Sequence, residues 1–138
     1  SVRVTLHNII TGEDEVHIFK NLVVTMGLNA VANLIMGGTT TSFNYIGVGS
    51  STQALALSDT DLITPIGSRK LCSSRTRAQN IATFSAFYTT TDNNGTWGEA
   101  ILADATSGGN ILARVLFTYA LTKDTSKTAT IEWAVIIL

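Results

Sequence analysis

Short runs that alternate apolar and polar residues, each closed by a glycine- or asparagine-bearing turn about ten residues after the last, recur through most of this chain. That rhythm constrains the fold more than any other feature. Val2, Val4 and Leu6 alternate with Arg3, Thr5 and His7, the polar run Thr11-Gly12-Glu13-Asp14-Glu15 follows, and Val16-His17-Ile18-Phe19 resumes strand composition, which predicts an N-terminal β-hairpin. Tyr45-Ile46-Gly47-Val48-Gly49 reads as a short buried strand whose glycines predict a bulge or the close approach of another backbone. Residues 69–78 read as an exposed strand and 81–90 as an aromatic, β-branched one. Asp92-Asn93-Asn94-Gly95 then supplies a hairpin turn, because Asn and Gly tolerate positive φ, with 97–103 as the return strand. After the turn Thr106-Ser107-Gly108-Gly109-Asn110, one face of 111–121 carries Ile111, Ala113, Val115, Phe117 and Tyr119. The last strand carries Ile131, Trp133, Val135 and Ile137 on one side. Strands at this spacing predict a mainly β protein, an antiparallel β-sandwich or barrel.

A single helix interrupts the pattern. Thr25 suits an N-cap, Leu28, Val31, Ala32 and Ile35 fall three and four apart within 26–36, and Gly37-Gly38 closes the segment. Ser58-Asp59-Thr60-Asp61 ahead of Leu62-Ile63 fits a capped helical turn stopped at Pro65. The domain reading is a hairpin arm over 1–20 and a sandwich over 21–138. The second face of the last strand, Thr130, Glu132, Ala134, Ile136 and Leu138, turns apolar toward its end, so that strand must either lie inside a sheet or be shielded by a neighbouring subunit.

Composition narrows the partners. Of the 138 residues 45% are hydrophobic and 14% charged, against roughly 25% charged in an ordinary soluble domain, which leaves more surface free to touch protein. A net charge of -1 provides no field to draw in a phosphate backbone or an anionic membrane, so neither nucleic acid nor membrane is an expected partner. No long uncharged apolar run occurs, and Ser1, Arg3 and Thr5 do not have the layout of a signal peptide, so a soluble chain made in the host cytoplasm is expected.

Reactive constellations are not legible either. His7 and His17 would face each other across the first hairpin but lack a third ligand. Cys72 excludes an intrachain disulfide; Arg69, Lys70 and Arg75 near it would lower a thiol pKa, yet no nucleophile signature surrounds it, and a half-buried strand cysteine is the expectation. Gly47-Val48-Gly49-Ser50 lacks the third glycine, the lysine and the following helix of a phosphate loop. Asp59 with Asp61, and Asp14 with Glu15, fit capping and solvation, and the basic group Arg69, Lys70, Arg75 and Arg77 fits a solvated edge. Trp97 and Trp133 lie in alternating strands and are expected in the core. The expectation is therefore a non-enzyme with no catalytic residue, cofactor or metal.

Asn21-Leu22-Val23-Val24 before a glycine-bearing helix, Tyr45-Ile46-Gly47-Val48-Gly49, Ser58-Asp59-Thr60-Asp61-Leu62 and Ile66-Gly67-Ser68-Arg69-Lys70 resemble segments of small virion proteins of tailed bacteriophages. In the second half Phe84-Ser85-Ala86-Phe87, Asn94-Gly95-Thr96-Trp97-Gly98-Glu99-Ala100, Ser107-Gly108-Gly109, Leu112-Ala113-Arg114 and Thr130-Ile131-Glu132-Trp133 follow in the same order, so the resemblance spans 21–138. It implies a β-sandwich on the outer surface of the phage head, a decoration (cement) protein that stabilises the shell, or else a tail or fibre component in contact with tail proteins. It also implies a homo-oligomer, with a trimer expected, and the major capsid protein as partner. The additional start over 1–20 favours cement, since an arm can pair with a neighbour's strand through main-chain hydrogen bonds. The residues expected at the interface are Val2, Val4, Leu6, Val16, Ile18 and Phe19 in the arm, with Ile136 and Leu138 for subunit packing.

Overall fold

The structure is a computed structural model describing all 138 residues. Its elements in chain order are β1 (Val2–Asn8), β2 (Asp14–Phe19), β3 (Asn21–Val23), α1 (Thr25–Ile35), β4 (Tyr45–Gly49), β5 (Lys70–Leu71), β6 (Ser74–Ala78), β7 (Ile81–Tyr88), β8 (Gly95–Ala103), β9 (Ile111–Lys123) and β10 (Lys127–Ile136). They form two five-stranded antiparallel sheets, one in the order β2-β1-β10-β7-β6 and the other β3-β9-β8-β4-β5. The mainly β expectation holds, and of its two forms the chain takes the sandwich, because the sheets remain separate instead of closing into a barrel.

The period-two pattern builds the space between the sheets. Val2, Val4 and Leu6 of β1 point inward with Ala129, Ile131 and Trp133 of β10, and the second sheet answers with Ile46, Val48, Ala100, Leu102, Ala113 and Val115 in one continuous core. Both tryptophans are buried in it, and Tyr88 ties the layers together by donating its hydroxyl to the Ile46 carbonyl at 2.9 Å. A smaller cluster, Val24, Leu62, Ile101, Ala103 and Ile111, lies on the far side of the second sheet. The long segment 50–69 covers that side, so β8 is buried on both faces.

The glycines of β4 explain how this cover fits. A β-carbon on Gly49 would sit 2.5 Å from the Thr64 carbonyl and 2.6 Å from the Glu99 carboxylate, so only glycine lets the segment run this close. Of the two alternatives open for that strand, close backbone approach is the one used.

Several local readings require correction. The hairpin over 1–20 is not a free arm, since β1 is paired on both sides, with Val2 opposite Trp133 and Phe19. Burying each of Val2, Val4 and Leu6 contributes about 1.5–3 kcal/mol, so detaching them would consume much of a domain's net stability of about 5–15 kcal/mol. The Asp92–Gly95 turn is not a hairpin turn: it carries the chain from β7 in one sheet to β8 in the other, as the turn before β10 also does. Asn93 at φ 50 provides the turn and then anchors it by donating Nδ2 to the Ile66 and Ser68 carbonyls. The expected strand over 69–78 breaks at Cys72 and Ser73 into β5 and β6, which belong to different sheets. Ile111 leaves the face it was assigned because a register shift between Leu102 and Ala103 places it in the smaller cluster. Segment 58–65 forms turns without a helix. Helix α1 begins at Thr25, with Val24 as an N-cap that provides no side-chain hydrogen bond.

Candidate interaction surface

The densest polar chemistry in the molecule is a charge network beneath segment 50–69. Arg114 on β9, opposite Ile101, and Glu99 on β8, opposite Leu116, are diagonal neighbours on one face of the ladder and point away from the main core. Arg114 donates Nη2 to Glu99 Oε2 at 3.0 Å and to the Gln53 carbonyl at 3.0 Å, and Nη1 to Asp59 Oδ2 at 3.1 Å. Glu99 turns its second oxygen to the backbone N–H groups of Ile63, at 2.6 Å, and Thr64, at 3.3 Å. Asp59 also accepts from the Ala56 N–H. All three side chains are buried, and each carboxylate is engaged by a cation and by backbone donors. Such an arrangement fixes a loop to a sheet, with Arg114 Nε left as a buried donor without a partner. Asp59 is thus a clasp in the interior, not the solvated cap expected for it.

The basic group is divided in the same way. Arg69 is buried against Asp61 and donates to the Ala105 and Gly108 carbonyls, joining segment 50–69 to the β8–β9 turn. Lys70 pairs with Asp92 at 3.0 Å. Only Arg75 and Arg77 remain in solvent, on β6.

The surface without such satisfaction is apolar. Helix α1 packs on β9 through its small residues, Gly27 and Ala30, and a β-carbon on Gly27 would meet the Leu112 carbonyl at 2.1 Å. This rotation turns the large residues outward: Leu28 and Ile35, two of the apolar residues whose spacing marked the helix, are 57% and 83% exposed. Across from the helix, Ile136 at the paired end of β10 and Ile137 and Leu138 beyond it run over the outside, held where Asn80 Nδ2 donates to the Ile137 carbonyl at 2.7 Å. Between helix and tail lies an open groove of about 350 Å³ with twelve lining residues, all hydrophobic, among them Leu28, Val31, Leu34, Phe84, Ile136 and Leu138. It continues past Phe43 and Phe84 to Arg75 and Arg77. A helix with no charged residue is ordinarily enclosed. Here one of its faces is left to water.

The residues expected at an interface fall into two groups. Val2, Val4, Leu6 and Phe19 belong to the core and are not available for contact with another molecule, because their alternation aims them between the sheets. Val16 and Ile18 are exposed on β2, a sheet edge, while Ile136 and Leu138 line the groove. Of the two ways to cover the last strand, β10 takes the interior one, lying between β1 and β7, and only its end emerges. The groove's helical half was missed because spacing alone does not reveal which side of an apolar helix meets the sheet; the glycine at 27 among larger residues was the available signal.

The remaining candidates are separate. His7 and His17 do not face each other: the register sets His7 opposite Asp14, with Nδ1 2.6 Å from Oδ1, and His17 opposite Val4, with Nδ1 2.8 Å from the Tyr119 hydroxyl. Nowhere do three His, Cys, Asp or Glu side chains gather as metal ligands. Burial pushes the Cys72 thiol up to about 11 against the opposing charge of Arg75, so desolvation outweighs the basic neighbours. No helix is long and apolar enough to cross a membrane. The chain matches no protein-family model and no curated protein sequence.

Proposed function

We propose that this chain is a structural subunit of a tailed-phage particle, a decoration (cement) protein that sits on the outside of the head as a trimer, contacts the major capsid protein and stabilises the shell. The groove between α1 and the end of β10 is the observation that carries this reading. Twelve hydrophobic side chains around an open trough, in a domain with few charges, make a surface suited to being covered by protein. The sequence resemblance directs the choice of protein toward the capsid. Attachment then works by mass action: a subunit that binds only the assembled lattice shifts the equilibrium toward that lattice. With Val2, Val4 and Leu6 committed to the core, attachment is assigned to the groove and the sheet edges.

The test is to add purified chain to expanded heads that lack it and to image the particles. Occupancy at lattice positions on the head is expected, together with slower loss of packaged DNA on heating. The double substitution Leu28→Glu and Ile137→Glu changes two exposed sites that line the groove, so it should leave the melting transition of the free chain nearly unchanged, within about 0.5 kcal/mol per site, and abolish head binding. Density on the tail or on host cells in place of the head, or head binding that survives the double substitution, would discard this reading.

A further inference from the structure

We infer that copies of this chain associate head to tail, the β6 edge of one pairing with the β2 edge of the next so that the first sheet continues from copy to copy. The inference stands on the two edges themselves and does not require the particle role. Strands β2 and β6 are the terminal strands of that sheet, six and five residues long, and the outer side of each has no strand partner. A bare edge is a template for another strand unless its side chains prevent pairing, and charge is the usual means of prevention.

Here the two edges carry opposite charge. Strand β6 presents Arg75 and Arg77, neither of which forms an ion pair, and their guanidinium groups reach only the Ser42 hydroxyl and the Gln79 carbonyl. Strand β2 follows Glu13 and contains Asp14 and Glu15, beside the exposed Val16 and Ile18. The registers put the opposed charges on one face. Glu15 is opposite Leu6, and Arg75 is opposite Phe84, itself opposite the core residue Trp133, so Glu15, Arg75 and Arg77 all project from the core side of their strands. Joining β6 to β6 antiparallel about Thr76 would bring Arg75 against Arg77, and joining β2 to β2 in the same way would set Asp14 and Glu15 opposite Phe19 and Ile18, with no arginine to meet. Only the unlike pairing brings opposite charges together across the new ladder.

Direction supports the same geometry. Each neighbour in the sheet is antiparallel to the last, so β2 and β6, four steps apart, run the same way. Copies related by rotation about an axis along the strands therefore meet with β6 and β2 parallel, and such head-to-tail contacts close into rings or extend as filaments.

The experiment is sedimentation equilibrium of the full chain over a range of concentration and salt. Three proteins are compared: wild type, the acidic-edge variant Arg75→Glu/Arg77→Glu, and the basic-edge variant Glu13→Lys/Glu15→Lys. Wild type should exceed the mass of one copy and weaken as salt rises, and each variant alone should associate at least about tenfold more weakly. Mixing the two variants should restore association, since the acidic edges of one fit the basic edges of the other. The chain carrying all four substitutions should also recover it. A single-copy wild type at every concentration, a variant that associates as wild type does, or variants that stay folded by circular dichroism yet show no recovery on mixing would each overturn the pairing. Head binding is read separately, so association in solution can succeed where the particle role fails, and the reverse.

Discussion

Arg114 Nη2 on β9 lies 3.0 Å from Glu99 Oε2 on β8, and neither side chain has any exposed surface. Together with Asp59 this pair fastens segment 50–69 over the second sheet. Removing one charge from a buried, hydrogen-bonded set leaves its partners uncompensated.

Arg114→Met is therefore expected to destabilise the fold by about 3–5 kcal/mol, because two carboxylates and the Gln53 carbonyl lose their shared donor. Hydrogen exchange should show the amides of Ile63 and Thr64 losing protection, even where the β1–β10 ladder remains protected. Equal protection in both regions would show that the network does not hold the segment.

Acid should act through Asp92. Its carboxylate accepts from the Thr89 N–H at 2.8 Å and from the Lys70 ammonium at 3.0 Å, and these bonds lower its pKa from 3.8 to about 2. A depressed folded-state pKa means that the carboxylate's contribution is complete above about 3.8 and is lost as pH falls toward about 2. Denaturant midpoints measured across that window should fall less steeply for Asp92→Asn than for the wild type.

Cys72 should be slow to react. With its pKa raised from 9.0 to about 11, chiefly by burial, the thiolate fraction at neutral pH falls roughly a hundredfold. The rate with a disulfide reagent should rise by at least that order when urea unfolds the chain. Arg75→Met should lower the native rate further by removing the one charge that opposes the shift.

Gly27→Ala should separate helix from sheet. The added β-carbon would fall 2.1 Å from the Leu112 carbonyl, which belongs to backbone that cannot swing aside, and overpacking of this kind costs about 1–3 kcal/mol. Gly12→Asn makes the control, since Gly12 has open space around it and a φ of +75 that Asn tolerates. Chemical denaturation should distinguish the two by more than the error of the midpoint.

Strand positions were legible because alternation is a property of neighbouring residues. Val2, Val4 and Leu6, or Ile131 and Trp133, declare an inward face without reference to anything distant. Pairing partners are another matter. The composition of Asp92-Asn93-Asn94-Gly95 indicates a turn, yet nothing local says whether the next strand returns to the same sheet or passes to the other. The clasp was illegible for the same reason, since 54 intervening residues separate Asp59 from Arg114 and only the folded register brings them to 3.1 Å. At the groove, Ile136 and Leu138 could be chosen from the greasy end of the last strand. Leu28 could not, because its exposure follows from how closely Gly27 lets the helix approach β9.

The placement of β1 between β2 and β10 also sets a timetable for synthesis. Strand β1 is translated well before β10, yet one of its flanks only β10 can fill, so Val2, Val4 and Leu6 stay partly wet until residues 127–136 have been made. A nascent chain stalled before residue 127 would present that flank as an open edge, and crowded polysomes are where such edges first find each other.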